Sequence, residues 1–209
     1  MVSLLLLRHG QIRANVAGRW HGSTDSPLTW TGRRQAKRTA RYLARNEPIT
    51  AIYSSPLQRC RNTAAAAGKA LNIPVEVHPE LREYAIGEWE DLPFRHLYDE
   101  FNFVKLARTD LDFAPPGGES LRQVSARIVP AIQEVHDRHV AHPGKNTGEK
   151  PDEKILLVSH GAALAVALAT LLEADPAGWV NYHFANCSLT ELVLTPQPYV
   201  NFFNLTLHL

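Results

Sequence analysis

Four ionisable signals stand directly after, or shortly after, apolar runs in this 209-residue chain. Arg8 and His9 close VSLLLLRHG, Arg59 follows ITAIYSSP, Glu83 lies a few residues past VEVH, and His160 ends ILLVSH. Two guanidinium groups, two imidazoles and a carboxyl group suit an anion with several oxygens. Guanidinium offers a planar pair of N–H donors that matches a phosphoryl group, a geometry lysine lacks. A neutral imidazole whose second nitrogen is held by a hydrogen bond can attack phosphorus and carry the phosphoryl group covalently. A carboxyl group can then protonate the leaving alkoxide. Taken singly, each residue has a plainer reading: Arg59 as a solvated helix residue, His160 as a core histidine. Their joint placement argues for a site.

The elements that must position them read as alternating strands and helices. Residues 2–7, 49–54, 75–78 and 155–160 are short apolar runs suited to buried parallel strands. After a polar loop to about residue 30, Thr31 is placed to cap a helix whose apolar face is Ala36, Thr39, Ala40 and Leu43. Pro56 is expected to open a helix over 57–71, and further helices are predicted over 92–107, 119–139 and 161–173. Pro130 should kink the third of these four. Residues 141–153 read as an exposed loop insertion, and the last two strands as an antiparallel pair. The expected fold is α/β, a three-layer α/β/α sandwich with a mostly parallel central sheet, formed by one domain over 1–209. Ligands bind beyond the carboxyl ends of strands in such sheets, which would bring the five residues to one edge.

Composition narrows the partners. Lys plus Arg number 22 against 21 for Asp plus Glu, a net charge of +1, so no general field attracts nucleic acid or a membrane surface, and neither is expected as a partner. The two cysteines, Cys60 and Cys187, suggest no disulfide framework, and a reduced, cytoplasmic setting is expected. Residues 2–7 are too short an apolar run for a signal peptide or a membrane span. A homodimer is left open.

The stretches LLLLRHGQIRAN, DSPLTWTGRRQA, YSSPLQRCRNTA, LREYAIGEWED, PGGES and VSHG together resemble the histidine phosphatase superfamily, the phosphoglycerate mutase-like proteins, in order and over nearly the whole chain. The resemblance implies a phosphoglycerate mutase-like fold. It also implies that His9 becomes phosphohistidine, that Arg8 and Arg59 clamp the phosphoryl group, that His160 stabilises charge beside Gly161, and that Glu83 donates the proton. Asn15 and Gly22 match positions near the substrate, and Glu119 in GGES is expected to orient a site arginine or histidine. One departure stands out: Ile12 occupies a position where relatives usually carry Thr or Ser, whose hydroxyl can contact phosphate.

GEWEDL resembles the G-x-W-E-G pattern of bacterial phosphatases of this family. Between Glu83 and Gly117 the basic residues are Arg95, Lys105 and Arg108, without the extra paired cations expected of a mutase. The reading is a phosphomonoesterase acting on a small phosphate ester through phosphohistidine, requiring neither cofactor nor metal. A cofactor-dependent phosphoglycerate mutase and a non-catalytic phospho-ligand binding module are the alternatives. His136, His139 and His142 read as a solvated helix end rather than a zinc site. Trp20 and Trp89 flank motifs and are candidates for core or pocket lining, and Cys60 for buried packing.

Overall fold

The computed structural model describes residues 2–141 and 153–209, so most of the loop expected at 141–153 lies outside the described residues. Its strands are β1 (Val2–Arg8), β2 (Ile49–Ser54), β3 (Val75–Val77), β4 (Glu153–Ser159), β5 (Leu189–Val193) and β6 (Tyr199–Leu205), joined in one six-stranded sheet in the order β3-β2-β4-β1-β5-β6. The pairings β1–β4, β4–β2 and β2–β3 are parallel, while β5 and β6 add an antiparallel edge.

Alternation along the central strands sends side chains to two cores. Leu4 and Leu6 of β1 join Ile155 and Leu157 of β4 on one face, and Leu5 and Leu7 join Leu156 and Val158 on the other. All eight are at most 1% exposed, and each stabilises the fold by about 1.5–3 kcal/mol through burial. The first core is closed by α6 (Leu121–Ala141) and α7 (Gly161–Glu173), and the second by α2 (Trp30–Asn46) and α3 (Gln58–Leu71). The result is the three-layer α/β/α arrangement. Three shorter helices, α1 (Arg13–Ala17), α4 (Phe94–Asp99) and α5 (Phe103–Thr109), lie in the connections.

Register decides what the sheet edge presents. Arg8 of β1 lies opposite Ser159 of β4, and Ser54 of β2 opposite Val158. The next residues along each strand are His9, His160 and Ser55, which leave the sheet side by side on strands about 4.8 Å apart.

Several local expectations are corrected. Thr29, not Thr31, caps α2, its hydroxyl accepting the Gly32 N–H at 3.0 Å; Thr31 is already inside the helix. Pro56 sits two residues ahead of α3 instead of opening it. The helix expected over 92–107 breaks into α4 and α5 because Asn102 adopts φ 50°, a left-handed conformation asparagine tolerates. Pro130 does lie inside helix α6, as the sequence predicts; it is exposed together with Ala126, so the carbonyl the proline leaves unbonded can reach water.

Candidate active site

The in-register strands set the His9 and His160 rings 5.3 Å apart between centroids, edge to face at 64°. Nδ1 of His9 lies 2.8 Å from the Gly10 carbonyl, which can only accept, so Nδ1 carries the proton and Nε2 keeps its lone pair. Burial, reinforced by Arg59 and then Arg8, holds His9 well below the ordinary histidine value of 6.5 and keeps the ring neutral. His160 is fixed from both sides. Its Nδ1 accepts the Arg59 Nε–H at 3.2 Å, which leaves Nε2 to donate to Ser55 Oγ at 2.7 Å. Burial, then Arg59, His9, Arg127 and Arg8, depress it likewise. Cys60 packs against this ring with Sγ 3.3 Å from the Ser159 carbonyl, and burial pushes its thiol up, so it is packing as expected.

The two arginines are held differently. Arg8 donates through one terminal nitrogen to the Phe184 carbonyl, while its buried Nε has no partner. Burial lowers its pKa despite the opposing effect of Glu83. An orphaned cationic donor in the interior is costly unless an anion arrives to take it. Gly161 makes room for it: a Cβ there would lie 3.3 Å from Arg8 Nε. Arg59, fully buried, spends Nε on His160, one terminal nitrogen on the Thr24 carbonyl at 2.7 Å, and the other on the carbonyls of His21 and Gly22 at 3.0 and 2.8 Å. Four of its five N–H donors are thus engaged, leaving one to offer instead of the free planar pair the sequence suggested. Its backbone is placed by α3, whose first amide, Gln58 N–H, is capped by Asp25 Oδ1 at 2.7 Å.

Glu83 retains 8% exposure and sits at the start of α7. Oε1 accepts the N–H groups of Tyr84 at 2.9 Å and Ala163 at 2.8 Å, and Oε2 that of Ala162 at 3.3 Å. The helix N-terminus that follows His160 therefore orients the carboxylate, whose charge also acts on Arg8. Behind it, Arg127 makes a two-pronged pair with Glu119 at 2.7 and 2.8 Å and donates to the carbonyls of Glu80, Arg82 and Glu83. Glu119 also accepts from Arg82 and from the Ala85 amide. Glu119 is expected to orient a site arginine or histidine; the arginines it fastens are Arg127 and Arg82 rather than Arg8 or Arg59, and through them it holds the segment carrying Glu83.

Asn15 uses its Oδ1 to accept the Ile12 amide and Asn186 Nδ2, both at 3.0 Å; Asn186 also reaches the His9 carbonyl at 3.1 Å. Gly22 lies beneath Tyr84, where a Cβ would fall 2.2 Å from the Tyr84 carbonyl. Ile12 is 1% exposed and belongs to the core with Leu5, Leu7 and Leu28, so its side chain packs apolar atoms. Trp20 stacks on Phe94 and meets Tyr84, Phe103 and Trp179 edge-on, and Trp89 packs on Phe101 and Phe103, which makes both part of an aromatic core. His136 is buried and 3.0 Å from Asp137, not solvated as expected, while His139 faces Tyr53; His142 lies outside the described residues.

Sequence reasoning missed Ser55, Thr63, Arg127 and Asn186. Thr63 accepts the Gly10 amide at 3.0 Å and donates to the Arg59 carbonyl at 2.7 Å, tying the two motifs together. Ser55 alone carried a readable signal, since it ends the strand beside β4. The cluster is largely buried, with His9 3% exposed and Arg8 partly exposed. Open clefts of about 340 and 220 Å³ lie elsewhere, on the outer face of α2 around Arg38 and Arg41.

The chain is similar to known proteins over most of its length. The profile of the histidine phosphatase superfamily (branch 1) matches residues 4–202. Glucosyl-3-phosphoglycerate phosphatase of Mycobacterium tuberculosis (strain CDC 1551 / Oshkosh) is 36% identical over 191 residues, 90% of this chain and 84% of the relative. A probable phosphoglycerate mutase GpmB of Yersinia pestis (strain Pestoides F) is 35% identical over 202 residues, 96% of this chain and 88% of the relative. The solved structure of a mycobacterial glucosyl-3-phosphoglycerate phosphatase complexed with VO3 superposes with a TM-score of 0.82 at 33% identity, covering 98% of this chain and 99% of that one.

Proposed function

The chain belongs to the histidine phosphatase superfamily, branch 1, and from that footing we propose that it is a metal-independent phosphomonoesterase acting on a small phosphorylated metabolite through phosphohistidine at His9. The observation that carries the reading is the state of His9: a neutral ring with Nδ1 pinned at Gly10, 5.3 Å from His160, beside a buried Arg8 Nε that has no partner. Residues 1–209 act as one catalytic domain, a reading supported by a sheet that includes both the first and the last strand.

In the first step, His9 Nε2 forms a bond to phosphorus while the ester P–O bond breaks, and Glu83 gives its proton to the departing alkoxide. Arg8 takes the phosphoryl oxygens through its unpaired N–H groups, with Arg59 adding its remaining donor. His160, held by Ser55 and Arg59, lies against the nucleophile and orders the charged cluster. In the second step, Glu83 takes a proton from water, whose oxygen displaces His9 from phosphorus and releases orthophosphate. The side chains supply the positive charge, so no metal enters either step. Asn15 and Asn186 hold the backbone around His9, and Gly161 admits Arg8.

The relative named a probable phosphoglycerate mutase makes mutase activity the second reading. Against it, Arg95, Lys105 and Arg108 are all exposed; Arg95 pairs with Asp99, and Arg108 donates to the Ala177 carbonyl. Arg95 and Arg108 are thus held by partners of their own. The test is a screen of phosphomonoesters, including glucosyl-3-phosphoglycerate and phosphoserine, with and without chelator, alongside His9→Ala. Chelator-resistant phosphate release that vanishes in the variant is expected. Interconversion of 2- and 3-phosphoglycerate far faster than phosphate release would transfer the assignment to mutase, and tight binding without turnover would leave a binding module.

A further inference from the structure

We propose that Glu90 is a positioning residue for Arg59, acting through the loop at 21–24. The inference rests on the proposed phosphatase reading, because it concerns how that site is assembled. Glu90 Oε1 accepts the amides of Gly22 and Ser23 at 3.1 and 2.9 Å, and Oε2 accepts the amides of Gly22 and Thr24 at 3.0 and 3.2 Å and the Thr24 hydroxyl at 2.7 Å. Three successive amides and a hydroxyl thus converge on one carboxylate, an anion nest formed by backbone. The carbonyls of the same loop point the other way. Those of His21, Gly22 and Thr24 receive both terminal nitrogens of Arg59.

The loop is therefore a plate with an anion bound on one side and the cation of the site on the other. When Glu90 fixes the Gly22 and Ser23 amides, it fixes the directions of the His21 and Gly22 carbonyls, because each of these amides shares one rigid peptide unit with the carbonyl before it. A guanidinium confined by these two carbonyls, by the Thr24 carbonyl and by His160 has one orientation. Gly22 allows the approach: a Cβ there would stand 2.6 Å from Glu90 Oε1. The adjoining chain is laced to the same segment, with Trp20 N–H on the Leu92 carbonyl, Asp91 N–H on the Trp20 carbonyl, and His21 Nε2 2.8 Å from Asp91. Neighbouring Glu88 is exposed, so charge alone does not distinguish Glu90.

The test is a double-mutant cycle of Glu90→Gln with Arg59→Ala, read as kcat/KM for a phosphomonoester and as inhibition by orthophosphate, with Glu88→Gln as the control. Wild-type turnover that His9→Ala abolishes is required first, so a failure of the phosphatase reading is seen separately. Glu90→Gln should lower kcat/KM by roughly 10- to 100-fold, and in the Arg59→Ala background its further effect should fall below about twofold. Independent, multiplying losses would overturn the proposal, as would a loss no larger than that of Glu88→Gln. A stabilising glutamate with no bearing on Arg59 would lower the melting temperature and leave the two losses independent. If Glu90→Gln does not fold, Thr24→Val removes one of the five contacts, and the same coupling to Arg59, or its absence, decides the question.

Discussion

Arg127→Met is the sharpest test of how the Glu83 segment is held. The substitution keeps much of the aliphatic stem and deletes a guanidinium that bonds both oxygens of Glu119 and three backbone carbonyls. The pair is shielded, with side chains 8% and 15% exposed. Breaking such a pair typically costs about 3–5 kcal/mol, mainly because the remaining charge is stranded. Here Arg82, at 3.0 Å, and the Ala85 amide, at 3.1 Å, still serve Glu119, so the low end applies, about 3 kcal/mol. That is a large share of the roughly 5–15 kcal/mol that holds a domain together. With a urea m-value near 2 kcal/mol/M, the midpoint should fall by roughly 1.5 M. The double variant Glu119→Leu, Arg127→Met should lose less than the sum of its single changes, because neither buried charge is left alone. A midpoint shift under about 0.3 M, or strictly additive losses, would show that the pair does not fasten the segment.

Other outcomes follow from the same geometry. Because folded His9 and His160 sit well below 6.5, the unfolded chain binds protons near that pH that the folded chain refuses. Their stability contribution is complete above about pH 6.5 and is lost as pH falls, with a slope of up to about 1.4 kcal/mol per pH unit for each histidine. Urea titrations from pH 7.5 to 5 should show this slope, and His9→Gln should flatten it by one histidine's worth; an unchanged slope contradicts a neutral buried ring. Ser55→Ala leaves His160 Nε2 without its acceptor and should cost about 1–3 kcal/mol in urea unfolding, with a fall in kcat. Gly161→Ala should raise KM and weaken inhibition by orthophosphate while changing the melting temperature little, since the added methyl group meets Arg8 Nε. Ile12→Thr should destabilise by about 1–3 kcal/mol without tightening orthophosphate binding, because the position faces the core; tighter binding would show that the hydroxyl reaches the anion.

The parts of the fold legible in sequence were those written in consecutive residues. The leucine run of β1 and its counterpart in β4 are buried on both faces, so their composition alone announced a central sheet. The placement of His9 and His160 at its edge followed from strand ends. What escaped was set by partners distant in the chain. Ser55 meets His160 across 105 positions and Asn186 meets the His9 carbonyl across 177, separations at which no local pattern exists. The occupation of Arg59 by the carbonyls of the loop at 21–24 depends on how that loop folds back, which composition does not encode. Short-range errors had short-range causes: two threonines, at 29 and 31, could each begin α2, and only the hydrogen bond to Gly32 chose between them.

Most directly decisive is the chemistry at His9 itself. After a brief pulse of phosphomonoester and rapid quenching in alkali, phosphorus NMR and peptide mapping should find one acid-labile, base-stable phosphate, bonded to Nε2 of His9. Phosphate on Nδ1, phosphate on His160, or rapid turnover with no phosphoenzyme under conditions that trap such intermediates would contradict the account.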